Sequence, residues 1–207
     1  MHSQEPRPER GEFVALQWTR TELCRLLRDY FRRRMPDRIV RVGTDLPFFY
    51  DPADRLARVT PDLYVVEGLG PEEQLRCYRV WERGGVAPRL VVHLVDAPVA
   101  PEDGIMMHFL RLGPEHVVLY DPLWYQQPPH APVGRRLLSH YRRVDGRLVL
   151  QRQEHPGRVF VDSYGLWFIH RGGAELRIYE GTEAGGAAPP PESHCWPTLE
   201  EREAQQR

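Results

Sequence analysis

The chain has 207 residues, of which 41% are hydrophobic, and its formal net charge at neutral pH is −1. A chain of this size forms one domain of ordinary dimensions with a hydrophobic core. The balanced charge excludes a general attraction to nucleic acid or to acidic membranes, so any such binding requires a local patch. All 28 residues counted as Lys or Arg are arginine. No reaction step can therefore use a side-chain amine.

The sequence shows no apolar stretch of the length needed for a signal peptide or a membrane span. This predicts a cytoplasmic protein with no membrane partner. The three cysteines, Cys24, Cys77 and Cys195, lack the spacing of metal ligands and are expected to be reduced thiols.

The N-terminal part predicts a mobile arm followed by an amphipathic helix. Residues 1–18, which begin with a polar and proline-rich segment, are expected to form the arm. Thr19 and Glu22 have the spacing of a capping box, which predicts that the helix starts at Thr19. The helix is expected to end before Pro36, after a triplet of arginines at 32–34. The triplet is either a solvated helix end or a contact for DNA phosphates.

Short apolar runs predict strands, and those at 63–66, 90–95 and 117–120, which are rich in β-branched residues, are expected to be buried on both faces of a sheet. In chain order they are residues 38–42, 46–50, 59–66, 89–95 and 116–121. A helix at 103–112, capped by Asp103 and ended by Gly113, separates the last two runs. This order predicts a parallel strand–helix–strand crossover.

Two hairpins are predicted after residue 136. Asp145-Gly146 joins the runs 137–144 and 147–151, and Gly172-Gly173 joins the runs 166–170 and 175–179. Residues 181–207 are rich in glycine and proline without apolar periodicity, and they are expected to be a disordered tail. The predicted fold class is α/β (α+β), a mixed sheet flanked by helices within residues 19–180, with the hairpins at its C-terminal end.

Two polar residues stand where a plain core strand would have none. Asp62 follows Pro61 at the start of one predicted strand, and His93 lies in the middle of another. A charge or an imidazole at such a place needs a partner or water. Asp62 is either a metal-binding carboxylate or a strand-end aspartate bonded to backbone. His93 is either a ligand or a histidine that is hydrogen-bonded to a neighbour.

Several segments together resemble one protein family. They are VGTDLPFFY (42–50), VTPDLYVV (59–66), YRVWERGG (78–85), PRLVV (88–92), VVLYDP (117–122) and ELRIY (175–179). In order and spacing they resemble the Uma-two family of restriction endonuclease-like proteins, within the PD-(D/E)XK nuclease superfamily. The similarity covers residues 19–180. It implies a restriction-endonuclease-like fold and metal-dependent hydrolysis of DNA phosphodiesters.

The resemblance also implies a site, from which this chain departs. Asp62 matches the aspartate of the family's Pro-Asp. Where the family has Val-Glu-(Ile/Val)-x-Ser, His93 stands for the glutamate and Asp96 for the serine. Asp103 is at best a shifted substitute for the family's next aspartate, and Ile105 falls near its lysine. The implied catalytic residues are Asp62, His93 and Asp96, and the implied metal ligands are Asp62, His93 and Asp103.

Three hypotheses follow. The chain is a catalytically degenerate nuclease-like domain that binds nucleic acid or a protein, an active metal-dependent endonuclease with a rearranged site, or a non-enzymatic interaction module. The family implies Mg²⁺ as cofactor, whereas a degenerate site would bind none. An imidazole with carboxylates would suit Zn²⁺ or Mn²⁺ better than Mg²⁺. DNA and a second copy of the chain, as a homodimer, are the candidate partners.

Overall fold

The computed structural model describes residues 10–71, 73–95, 104–122, 124, 136–181 and 192–205, without the side chains of residues 10–14 and 193. Its helices are α1 (Arg10–Arg34), α2 (Gly104–Leu112) and α3 (Leu199–Gln205). None of the helices within these ranges is long and apolar enough to cross a membrane.

The strands form one large sheet and two small ones. In chain order they are β1 (Val40–Gly43), β2 (Phe48–Phe49), β3 (Arg58–Val59), β4 (Leu63–Glu67), β5 (Tyr78–Arg79), β6 (Leu90–Leu94), β7 (His116–Tyr120), β8 (Leu138–Val144), β9 (Arg147–Leu150), β10 (Arg158–Val161), β11 (Leu166–Gly172) and β12 (Glu175–Glu180). The central sheet has the order β1-β4-β6-β7-β8-β9, and the small sheets are β3-β2-β5 and β10-β11-β12. In the central sheet β6 and β7 run parallel and are joined through α2, whereas the other pairs are antiparallel. The predicted mixed sheet with flanking helices is confirmed.

The central sheet separates two hydrophobic cores, because successive side chains of a strand point to opposite faces. Leu90 and Val92 of β6 pack in the core that includes α1 and the C-terminal sheet. Val91 between them packs in the other core, together with Phe109 of α2. Strand β6 is therefore buried on both faces, as its continuous apolar run predicts.

The helix start predicted at Thr19 is wrong, because α1 begins at Arg10. The prediction of a mobile arm is therefore wrong for residues 10–18, which belong to this helix. Thr19 lies inside the helix, where its hydroxyl is within hydrogen-bond distance of the carbonyls of Ala15 and Ala174. The threonine therefore anchors α1 against the turn between β11 and β12 instead of capping a helix.

The tail prediction is wrong for residues 192–205, which are ordered by a few polar contacts around one aromatic side chain. Trp196 is buried, and its indole N–H donates to Asp29 over 3.1 Å. Arg177 of β12 binds Glu201 of α3 at 2.7 Å. A single aromatic anchor with ion pairs leaves no periodic signal in a sequence, which explains the error.

Local pairing differs from the sequence prediction in two further places. Residues 59–66 do not form one strand, since β3 joins a small sheet and β4 the central one. Strands β1 and β2 also separate after a link in which Asp45 takes a positive φ of 56°. The β8–β9 and β11–β12 hairpins are confirmed, whereas β10 was not predicted.

A chain of hydrogen bonds links the central sheet to the C-terminal sheet. His140 Nε2 lies 2.9 Å from His116 Nδ1, and His116 Nε2 lies 2.7 Å from the hydroxyl of Ser163. Ser163 donates its single proton to Glu115 over 2.7 Å. A neutral His116 then donates from Nε2 to Ser163 and accepts at Nδ1 from His140, whose Nε2 carries a proton.

Burial governs the ionisation of these two histidines. Burial, and next the neighbouring His116, lowers the pKa of His140 to about 3. Burial also lowers the pKa of His116, although the charges of Glu115 and Asp162 oppose the effect. In the unfolded chain both groups titrate near their ordinary value of about 6.5. Below that pH the unfolded state binds more protons than the folded state, so acid destabilises the fold.

We therefore expect the free energy of unfolding to fall as the pH falls from about 6.5 to about 4, with His140 contributing up to about 1.4 kcal/mol per pH unit and His116 acting in the same direction. Urea denaturation at a series of pH values measures this slope. His140→Gln keeps a donor toward His116 but cannot titrate, and should flatten the slope. His155→Gln, at an exposed histidine, is the control. Equal slopes for wild type and His140→Gln would contradict the assignment.

Candidate functional site

Asp62 and His93 lie side by side at the ends of two neighbouring central strands. The antiparallel pairing of β4 with β6 places Leu63 opposite Val92, and Asp62 immediately before β4 therefore stands opposite His93. Asp62 Oδ2 is 2.6 Å from His93 Nδ1. The fold thus brings the two residues together, whereas their role in catalysis stays a prediction.

The pair sits on the face of the sheet that α2 covers. The ring of His93 meets the ring of Phe109 edge-on, with 5.7 Å between the centroids. The His93 and Asp62 side chains keep 20% and 23% of their surface exposed. This exposure is enough for a small ligand to reach both groups, so the pair lies at the surface of the core and not inside it.

The Asp62 carboxylate is held by groups of the protein itself. Its Oδ2 accepts the N–H of Leu94 over 2.9 Å, and its Oδ1 lies 3.8 Å from a guanidinium nitrogen of Arg20. The contact with His93 is short but does not have the direction of a good hydrogen bond. Burial would raise the pKa of Asp62, but His93, the Leu94 N–H and Arg20 outweigh it and lower that pKa below its usual value. Asp62 is therefore ionised at neutral pH.

Arg20 of α1 is the central residue that the sequence did not reveal. The same guanidinium nitrogen that approaches Asp62 is 2.5 Å from Oδ1 of Asp45, and the other terminal nitrogen donates to Gln17. Arg20 thus connects two aspartates that come from different loops. The Arg20 side chain is 18% exposed and the Asp45 side chain 55% exposed, so this ion pair opens to solvent on one side.

The described residues do not fit the Mg²⁺ that the resemblance implies. Mg²⁺ needs hard oxygen ligands in near-octahedral geometry. Here Asp62 is engaged by the protein, and Asp45 is held by Arg20, whose fixed positive charge repels a divalent cation. Within the described ranges no three His, Cys, Asp or Glu residues are grouped so that they could hold a metal ion.

The remaining predicted site residues do not complete the site. Asp96 and Asp103 lie outside the described residues, and their part in the site stays a prediction. Ile105, which falls near the family's lysine, packs partly buried against the core on the α2 side. This position supplies an apolar contact and no charge.

Comparison with known proteins leaves the family open. No protein-family profile matches the chain, and no curated protein matches it. Among solved structures, the chain is similar to a “putative nuclease belonging to DUF820” from Anabaena variabilis, with 14% sequence identity and a TM-score of 0.37. The alignment covers 96% of this chain and 83% of that chain. At this identity and TM-score the likeness carries no conclusion about the site.

The unsuitable ligand set leads to a prediction about metal binding. Calorimetric titration of the wild type with Mg²⁺ or Mn²⁺ should show no binding, whereas the double variant Arg20→Gln/His93→Glu should bind Mn²⁺. The double variant removes the fixed cation and adds a second carboxylate beside Asp62. The change in Coulomb energy is on the order of a few kcal/mol even with strong screening.

The matched control is Arg20→Gln/His93→Gln, which removes the same cation and adds no carboxylate. It should bind metal less tightly than the glutamate variant. Circular dichroism establishes that each variant is folded. If the folded glutamate variant binds no more Mn²⁺ than its control, His93 does not occupy the family's glutamate position.

Proposed function

We propose that this chain is a nuclease-like domain that binds nucleic acid at the Asp62–Arg20 face without hydrolysing it through a metal ion. The observation that carries the proposal is the position of the Arg20 guanidinium, at 2.5 Å from Asp45 and 3.8 Å from Asp62. A positive charge of the protein stands beside the carboxylate that the family resemblance assigns to the metal.

The chemistry of a guanidinium favours binding over cleavage. A metal ion in a nuclease activates water and stabilises the charge that develops on the phosphate. Where a phosphate displaces the exposed Asp45 carboxylate, Arg20 can donate hydrogen bonds to the phosphate oxygens, but it keeps its own proton and cannot activate water. Since the sequence contains no lysine, no side-chain amine can stabilise that charge either.

Binding through Arg20 would be independent of base sequence and sensitive to salt. A guanidinium that contacts phosphate reads the backbone, which is the same for every sequence. The surrounding aspartates keep the local charge low, and the whole chain has a net charge of −1. We therefore propose weak binding that is lost as counterions screen the few favourable contacts.

A second candidate function is hydrolysis with a rearranged site, and one contact favours it. Asp62 Oδ2 lies 2.6 Å from His93 Nδ1, and a small rotation of the ring that improves the direction of this contact would orient its other nitrogen as a general base. Arg20 would then supply the positive charge for the phosphate. This candidate differs from the proposed function in one measurable respect, since it requires turnover.

Cleavage assays with plasmid and linear DNA separate the two candidates. With Mg²⁺, and again with EDTA in place of Mg²⁺, we expect the purified wild type to cut no faster than Asp62→Ala. The reason is that the described residues around Asp62 offer no fitting ligand set and the sequence contains no lysine. Robust cleavage that disappears in Asp62→Ala would instead establish the rearranged site.

Fluorescence anisotropy with a labelled DNA duplex at low salt tests the binding itself. Arg20→Gln should weaken binding about tenfold, which corresponds to the loss of one charged phosphate contact, and should lower the salt slope by about 1. Arg25→Gln is the matched control, because Arg25 lies on the same helix, is 50% exposed and pairs with Glu22. If the wild type does not bind DNA, the proposal is wrong, and the non-enzymatic interaction module is the hypothesis that remains.

A further inference from the structure

A pocket of about 270 Å³ opens on the other side of the central sheet, next to the C-terminal sheet. His140 and Arg142 of β8 line it, whereas Tyr141 between them packs in the core on the α2 side. Because neighbouring side chains of a strand point to opposite faces, the pocket lies on the face opposite to Asp62 and His93. None of the roles described above uses it.

The charge of the pocket favours an anion. Its lining includes three arginines, at 142, 152 and 158, against two acidic residues. Arg142 is neutralised by Asp162 at 2.6 Å. Arg152 is exposed and forms no ion pair or hydrogen bond within the described part of the chain. An arginine without a partner at the mouth of a pocket is available to a phosphate or a carboxylate of a ligand.

An aromatic pair forms one wall of the pocket. Phe160 of β10 and Trp167 of β11 are cross-strand partners, with ring centroids 5.0 Å apart and planes inclined by 39°. Their strand neighbours Val159, Val161 and Phe168 belong to the core, whereas the pair itself stands outside it and is half-buried. Aromatic faces beside arginines form a surface on which nucleobases stack.

A polar group inside the pocket lacks a partner. The side-chain nitrogen of Gln153, which lines the pocket, is buried and has no hydrogen-bond partner among the described residues. A buried amide donor that makes no hydrogen bond destabilises a protein. An acceptor on a ligand, such as a ring nitrogen or a carbonyl oxygen of a base, would satisfy it.

We propose that this pocket binds one nucleotide unit. The base stacks on Phe160 and Trp167, its edge accepts a hydrogen bond from Gln153, and its phosphate is bound by Arg152. The volume lies near the lower end of the usual range for ligand pockets, about 300 Å³, which suits one nucleotide and excludes a duplex. The nucleotide is either free or an unpaired unit of a single strand.

Tryptophan fluorescence of the full chain tests the proposal, because a base stacked on Trp167 quenches its emission. The probes are AMP, a short single-stranded oligoadenylate of DNA and inorganic phosphate, each up to about 5 mM, a range that detects dissociation constants of about 1 mM. We expect quenching by AMP, by the oligonucleotide, or by both, and none by phosphate. Trp167→Phe should abolish the quenching, since the other tryptophans lie outside the pocket lining.

Two variants separate a binding role from a structural one. Arg152→Gln should weaken binding about tenfold, the loss of one charged contact. Gln153→Leu should weaken binding as well, yet should not lower the melting temperature, because removing an unsatisfied buried donor does not destabilise the apo protein. Arg111→Gln is the matched control, since Arg111 is an exposed arginine of α2 on the opposite face, and it should bind as the wild type does.

The outcomes decide both the site and the source of the nucleotide. Quenching by AMP alone assigns a free mononucleotide, and tighter binding of the oligonucleotide assigns a single strand. The proposal is overturned if none of the probes binds, if phosphate displaces AMP at equal concentration, or if Arg152→Gln and Gln153→Leu bind as the wild type does. Duplex binding and Arg20→Gln test the other face, so either proposal can fail without the other.

Discussion

The antiparallel pairing of β4 with β6 is the constraint on which both the core and the candidate site depend. Its register, with Leu63 opposite Val92, directs one set of side chains toward α1 and the other toward α2. A slip by one residue would exchange the two sets. For β4 this slip would turn Asp62 toward the apolar core on the α1 side and away from His93, at a cost on the order of several kcal/mol. Apolar packing and one polar pair thus specify the same register.

The features of the fold that local sequence determines were predictable. Buried strands give continuous apolar runs, the β8–β9 turn requires the positive φ that Asp145 and Gly146 adopt, and α2 ends at Gly113, where φ is 94°. The errors come from contacts that are distant in sequence. The order of residues 192–205 depends on the hydrogen bond from Trp196 to Asp29. Thr19 has the spacing of a capping residue, but its hydroxyl contacts the carbonyl of Ala174 far along the chain.

The residues of the candidate site likewise fall into those that the sequence could predict and those that it could not. Asp62 and His93 were visible because polar residues interrupt apolar runs, and the pairing of two strands sufficed to bring them together. Arg20 and Asp45 were not visible, since their contact depends on where α1 lies against the sheet. The sequence shows that lysine is absent, but it does not show which cation stands near Asp62. Only the packing of α1 against the sheet shows that this cation is Arg20.

The charges around Asp62 explain why His93 and Arg20 suit the same arrangement. Asp45 and Asp62 place two negative charges close together, and such a pair is stable only with a cation or a proton between them. A metal ion neutralises this repulsion and also activates water, but it can dissociate. Arg20 is part of the chain, so its guanidinium neutralises the repulsion permanently and does not activate water. Once Arg20 is in place, a glutamate at position 93 would add a third negative charge that one guanidinium cannot balance, whereas an imidazole adds none. A histidine at 93 and an arginine at 20 therefore stabilise the same arrangement, and restoring one metal-binding feature alone would destabilise it.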